Sequence, residues 1–328
     1  VRVFKYVDGS WVLKGGATDI SGANYSDRAG TCLAISADGN IVAVGESSYY
    51  SGSTGIGRVR VFEYVGNSWV LKGDATNMKG EGMVGNGYGN EYAGNSVALS
   101  ASGDVVAVGS HRYHEDRGRV RVFEYLITSD EWVLKGGATD ISGEVNPLGG
   151  LANSGYHGEY AGRSVAISAD GNIVAVGSDQ YQKDVSHTYS ASPNGRARVF
   201  EYVSNSDKWV LKGGANDMRG FEEEAGHSVA ISADGNIVAV GGRLFDSLGR
   251  VRVFEYSASS DRWIFKHNFI GGYSTALSDY GNILAVGSDQ YSNQDGRVTV
   301  HDSSGTGLFT MSDILSKWHD NVELQLKR

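Results

Sequence analysis

The phrase SVAISADGNIVAVG occupies residues 164–177 and returns unchanged at 228–241. Close relatives stand at 32–45 (CLAISADGNIVAVG), 96–109 (SVALSASGDVVAVG) and 274–287 (STALSDYGNILAVG). A second phrase, VRVFEY, fills 59–64, 120–125 and 251–256, with variants at 1–6, 197–202 and 298–303. A third, WVLKG, begins at Trp11, Trp69, Trp132 and Trp209, and returns as WIFKH at Trp263. Repetition at this period means one supersecondary unit built several times and stacked on itself. The tryptophans lie 58, 63, 77 and 54 residues apart, so constant strands are joined by loops of variable length.

Each phrase has a physical reading. SVAIS and NIVAVG are strands joined across Asp-Gly, a dipeptide that supplies the positive φ of a tight hairpin. Its glycine recurs at Gly39, Gly103, Gly171, Gly235 and Gly281 while the preceding residue varies, so Asp38, Asp170 and Asp234 are read as turn residues. IVAVG is continuously apolar, as in a strand covered on both faces. VRVFEY alternates, with Arg60, Phe62 and Tyr64 on one side and Val59, Val61 and Glu63 on the other, which suits a position nearer the outside. WVLKG reads as the outermost strand. Only four to six residues separate VRVFEY from the next Trp, so these two form a hairpin, whereas the connection from WVLKG to the next SVAIS is usually longer and reaches twenty or more.

The expected fold class is therefore all-β: a β-propeller of four-stranded antiparallel blades. Five blades are recognisable, at about 33–74, 96–137, 164–214, 228–268 and 274–312. Residues 1–16 are the outer half of another blade, and the propeller spans 1–312. Residues 313–328 form a tail, either a closing strand or a short helix, and six-bladed closure is the favoured arrangement. The chain opens inside a repeat, as a piece of a longer protein would.

The pentapeptide GSDQY, at 177–181 and 287–291, looks like chemistry but follows the same logic. Four residues past the glycine of each AVG stand Tyr49, Tyr113, Tyr181, Phe245 and Tyr291. An aromatic in every unit, once without a hydroxyl, is a packing residue.

These phrases resemble two propeller families. The SPDG-like turn and the strand order resemble the tryptophan–aspartate (WD40) repeat, and His227 stands where that family keeps a Gly-His. Phe62 and Glu63 replace its terminal Trp-Asp, and Gly-His occurs once, so its buried His–Asp network is not carried over. A closer likeness, over residues 1–302, is to extracellular FG-GAP-related repeat proteins of microbes and algae. That resemblance implies a propeller with a secreted or cell-surface location, and it implies no defined activity. FG-GAP propellers often bind calcium. The nearest pattern here is Asp289, Asn293 and Asp295, which lacks the crowded carboxylates of a strong site; solvated polar loops are the simpler reading. No metal, cofactor or catalytic residue is otherwise expected.

Composition excludes some partners. The chain has 29 basic and 38 acidic residues, a formal charge of −9, which opposes nucleic acid as partner. No apolar run approaches the roughly 20 residues of a membrane span. Cys32, the one cysteine, sits in an apolar strand and is expected to be buried and inert. Ser96 and Ser164 recur at strand starts and are not nucleophiles, and His111 with His114 reads as a solvated loop pair rather than a metal site. Glu91, Glu159 and Glu223 recur in the crossing loops, so a structural role precedes acid–base catalysis.

The loops that differ between units are 46–57, 79–93, 144–160, 179–195 and 243–249. They carry Tyr88, Tyr92, Tyr156, His157, Tyr160, His187 and Tyr189, the candidate partner-binding residues, since tyrosine with glycine makes an adaptable recognition surface. Asn24 heads a glycosylation sequon. The expected function is a non-catalytic structural, adhesive or protein-interaction module of an extracellular assembly. Its partners are proteins of that assembly, further copies of the chain, or surface glycans. A glycan-binding lectin or polysaccharide-acting propeller enzyme is the alternative, and an intracellular WD40-like adaptor the third reading. Unrepeated aromatics and acids gathered at one mouth of the ring mark the glycan binder; large flat buried surfaces mark the scaffold.

Overall fold

The repeats fold as five antiparallel four-stranded sheets whose strands are hydrogen-bonded in chain order. In the computed structural model, residues 1–15, 20–22, 24, 26–51, 54–73, 78–81, 91–137, 141–144, 158–181, 194–214, 218–220, 223–244, 248–288, 296–302 and 307–310 are described. Blade 1 runs Ala29–Ile35, Ile41–Glu46, Arg58–Val65 and Ser68–Leu71. Blade 2 is Ser96–Leu99, Val105–Ser110, Arg119–Leu126 and Glu131–Leu134. Blade 3 is Ser164–Ile167, Ile173–Ser178, Arg196–Val203 and Lys208–Leu211. Blade 4 is Ser228–Ile231, Ile237–Gly242, Arg250–Ser257 and Arg262–Ile270. Blade 5 is Ser274–Leu277, Ile283–Ser288, Arg297–Asp302 and Gly307–Thr310. Val3–Val7 pairs with Ser10–Lys14 as the expected half blade. The tail at 313–328, on which six-bladed closure depends, lies outside the described residues. No helix among the described residues is long and apolar enough to cross a membrane.

The first strands of consecutive blades lie against one another and line the axis. The second strand explains its own sequence. Ile41 and Ala43 pack toward blade 2, into a core with Val97, Val106, Val108 and Trp132. Val42 and Val44 pack the other way, against the half blade. In blade 2, Val106 and Val108 face blade 1, whereas Val105 and Ala107 join Val174 and Val176 of blade 3. A strand whose alternate residues enter two different cores must be apolar throughout.

The outer strands are bolted together. The indole Nε1 of Trp69, Trp132, Trp209 and Trp263 donates to the backbone carbonyl of Lys14, Lys72, Lys135 and Lys212, each in the preceding blade, at 2.8–2.9 Å. The glycine of WVLKG makes room. Gly136 has φ +100°, and a Cβ there would collide with the indole of Trp209. At the inner turns the backbones join hands: Ala37 N–H donates to Ala101 O, Ala101 to Ala169, Ala169 to Ala233, and Ala233 to Asp279 O. The Asp-Gly turns form as expected, with Gly171 at φ +72°. Asp170 accepts from Ser168 Oγ at 2.6 Å and from Asn172 N–H at 3.0 Å, and these bonds hold its carboxyl below the usual range against the upward push of burial. The same set recurs at Asp38 and Asp234.

A repeated ion cluster ties each crossing loop to the blade it enters. Glu91 meets Arg119 at 2.7 Å with both side chains 1% exposed. Glu159 accepts from Arg196 and, at 2.6 Å, from Arg198; Glu223 lies 3.2 Å from Arg250 and 2.7 Å from Arg252. In blade 1 the acid is the shorter Asp27, 3.4 Å from Arg58, and Glu46 reaches in as a second carboxylate to Arg58 and Arg60. The recurring aromatic completes the stack: Tyr49, Tyr113 and Tyr181 lie 3.7–3.9 Å from the guanidinium carbons of Arg58, Arg119 and Arg196. Tyr181 of GSDQY is a packing residue, as its recurrence implies. Phe245 and Tyr291 lie outside the described residues. In blade 5 the acid's place is taken by Phe269 and the second arginine's by Thr299. The acid and the second arginine are lost together while the first arginine is kept as Arg297, and Phe269 stacks on His301 with centroids 4.4 Å apart.

Trp132 is fully buried whereas Trp11 of the half blade is 69% exposed. Trp132→Ala is expected to cost about 3–5 kcal/mol, and Trp11→Ala less than about 1 kcal/mol, by urea denaturation. Arg119→Met takes the guanidinium from the buried Glu91 carboxylate, leaving it the Glu81 N–H at 2.7 Å, and is expected to cost about 3–5 kcal/mol by the same measurement.

Candidate functional site

Once the recurring side chains are assigned to the frame, two framework positions remain where the residue changes from blade to blade. One follows the second strand: Ser47, His111, Asp179 and Arg243 in blades 1 to 4, with the aspartate repeated as Asp289 in blade 5. The other precedes the first strand: Asn95, Arg163, His227 and Tyr273, with Thr31 equivalent in blade 1. Adjacent antiparallel strands bring both positions to the same end of the blades, opposite the Asp-Gly turns. A third position, three residues further upstream, holds Tyr92, Tyr160 and Glu224, all in the left-handed region at φ 56°, 60° and 52°. The crossing loops fix that backbone: Ala93 N–H donates to Ile56 O and Ala161 N–H to Arg117 O, and Gly57 and Gly118 sit too close to those loops to carry a Cβ.

These variable residues touch one another. Thr31 Oγ1 lies 3.0 Å from Ser47 Oγ. His111 stacks on Tyr92 at 5.9 Å between centroids and meets Tyr160 edge-on at 5.5 Å. Arg112 covers the outer face of Tyr92 at 5.6 Å. Arg163 Nε is 3.3 Å from Asp179 Oδ2, and His227 Nδ1 is 3.2 Å from the same oxygen. Arg243 engages Glu224 Oε2, and the His227 ring packs on Tyr273 at 5.1 Å. Aromatic rings and opposed charges thus run without interruption from the start of blade 2 to the start of blade 5.

Burial within this belt is uneven. Asp179, Glu224, His111 and Tyr160 are buried at 2–8% exposure, while Tyr273 is 45% exposed and Arg112 is open to solvent. Burial, with Arg163 and Arg112 nearby and Asp179 opposing, lowers the His111 imidazole to about 3. It is therefore a neutral ring between two phenols. This corrects the expectation of a solvated loop for His111, which follows a buried strand and is roofed by the crossing loop. His114 has its own ring contact with Tyr113 at 6.1 Å.

The sequence-derived candidates divide. Tyr92 and Tyr160 are in the belt. Tyr88, Tyr156, His157, His187 and Tyr189 lie outside the described residues, as do Asp289, Asn293 and Asp295. Asn24 is exposed, and its backbone N–H donates to Asp27 Oδ2 at 2.8 Å. Ser96 and Ser164 donate to the carbonyls of Gly162 and Gly226 at 2.8 Å, a strand-joining role. Cys32 does the same toward Gly94, and burial pushes its thiol up to about 12, far from a reactive thiolate. Asp179, Glu224 and His227 were missed as a group. In the sequence Asp179 lies inside the GSDQY echo, Glu224 beside the recurring Glu223, and His227 where the WD40 resemblance places a Gly-His. Glu224 and His227 fail to recur at their own positions, which is a readable signal, whereas Asp179 recurs as Asp289 and gives none.

No protein-family model matches the sequence, and no curated protein matches it. Among solved structures the chain is similar to a protein from Lactobacillus plantarum, at 14% identity and TM-score 0.51, over 85% of this chain and 69% of that one. It is similar also to hydrazine synthase of Kuenenia stuttgartiensis (13%, TM-score 0.47, 84% and 71%) and to TolB from Acinetobacter baumannii (10%, TM-score 0.45, 84% and 52%). The chain spans about half the length of that TolB chain. What the first likeness supports is the fold. The chain is a β-propeller. Neither the FG-GAP nor the WD40 family is matched by sequence.

The buried neutral His111 gives a pH test. Its folded value lies below the unfolded 6.5, so its contribution is complete above pH 6.5 and is lost as pH falls from there toward 3. Wild type is expected to lose about 1.4 kcal/mol per pH unit in that window relative to His111→Phe, by urea midpoints at pH 7.5 and 5.

Proposed function

We propose that this propeller is a non-catalytic recognition module, a rigid platform in an extracellular or cell-surface assembly, and that it meets its partner through the face where the first strands begin. The observation that carries this reading is the contrast between positions. Residues that hold the blades recur, while those before the first strands differ in all five blades, those after the second strands differ across blades 1 to 4, and these variable residues touch one another. Repetition costs nothing where the task is stacking; variety at equivalent positions calls for a separate cause, and recognition supplies one.

The chemistry suits a polar partner. Tyr273 and Arg112 are exposed, Arg243 is partly so, and tyrosine and arginine carry most interface energy. A protein of the assembly is the first reading. A surface glycan is the second, and one observation favours it: unrepeated aromatics cluster on one face, where the exposed Tyr273 ring offers a stacking surface. An absence of catalysis fits the serine hydroxyls spent on carbonyls and the carboxylates spent on guanidiniums.

The test is a paired binding assay with the full chain against a glycan array and against the proteins cross-linked to it in its native source. Tyr273→Ala with Arg112→Ala is expected to weaken whichever partner is found at least about tenfold. Asn172→Ala, on the opposite face, is expected to leave it unchanged. Equal loss from both faces, or none from the first, rejects the assignment of the face.

A further inference from the structure

Three potential metal ligands meet at the corner between blades 3 and 4. Asp179 comes from the end of a blade 3 strand, and Glu224 and His227 from the segment entering blade 4. One ligand atom from each lies within 4.8 Å of the others. The corresponding trio at the corner of blades 1 and 2 is Ser47, Tyr92 and Asn95; at blades 2 and 3 it is His111, Tyr160 and Arg163; at blades 4 and 5 it is Arg243, Ile270 and Tyr273. Only the blade 3–4 corner combines an imidazole with two carboxylates.

A second observation concerns Asp179 itself. Its side chain is 3% exposed, and its Oδ1 is buried with no hydrogen-bond partner among the described residues. An unmet carboxylate oxygen in a buried place is costly and asks for an explanation. Arg163 and His227 both address the other oxygen, Oδ2, and Arg243 addresses Oε2 of Glu224. Each carboxylate is thus held from one side by a guanidinium, as outer partners orient ligands in metal sites. Both arginines are partly exposed, at 32% and 40%, so each can draw back toward water as a cation enters.

We propose that Asp179, Glu224 and His227 form a binding site for a divalent transition metal of the zinc class. The donor set decides the class: one imidazole nitrogen with two carboxylates suits zinc and its neighbours, whereas calcium prefers six to eight oxygens. With bonds of about 2.1 Å, tetrahedral ligand atoms lie about 3.4 Å apart, a contraction of little more than about 1 Å from the 4.8 Å within which the three ligand atoms already lie. Three protein ligands leave coordination positions free for a donor atom from outside. The site stands at the recognition face but does not depend on any partner.

The test is titration of the metal-stripped full chain with zinc by calorimetry, comparing wild type with D179N, E224Q and H227Q, each checked for folding by thermal melts. Wild type is expected to bind one zinc per chain and to melt higher with zinc present. Each variant is expected to bind at least about tenfold more weakly, the least that loss of even an outer partner costs. No binding by wild type, affinity unchanged in H227Q and E224Q, or calcium bound in preference to zinc would overturn the proposal. If D179N does not fold, the other two variants decide the outcome by themselves.

Discussion

The sheets of blades 1 to 4 are covered on both faces by their neighbours, and the burial of alternate residues of one strand into two separate cores is what the rest depends on. Val106 and Val108 belong to one interblade core while Val105 and Ala107 belong to the next. A blade by itself would leave half of that apolar surface in water. Stability is therefore shared between neighbours, as in other stacked-repeat proteins. The tryptophan bolts follow the same rule, since each indole finds its carbonyl in the preceding blade. Trp11 shows the consequence at the end of the array, where the indole is largely exposed.

Ion pairs complete the frame in a way that apolar contacts do not. A carboxylate from each crossing loop is clamped by arginines of the blade it enters, and in three blades a tyrosine stacks on the first of them. Such groups are tolerable in a dry interface only as complete sets, because a single buried charge left over is expensive. Blade 5 loses the acid and the second arginine together, with Phe269 stacked on His301, and keeps the first arginine as Arg297. The fixed frame then leaves a limited number of framework positions free to vary, and these gather on one face.

The repeat phrases determined the all-β class, the order of strands in each blade, the Asp-Gly turns and the structural role of Ser96, Ser164, Glu91 and Glu159, because each of these is a local pattern copied several times. They also told packing residues from candidates, and that test was right for Tyr181. Which unrepeated residues meet was decided by the tertiary structure alone. Asp179 and His227 are 48 residues apart, separated by three strands and by loops whose lengths differ between repeats, so no spacing rule predicts their contact. His111 likewise becomes a buried neutral ring only because the crossing loop lays Tyr160 beside it. Recurrence reports what every blade needs; proximity between blades depends on how the sheets turn about a common axis, and that is set by packing between distant segments.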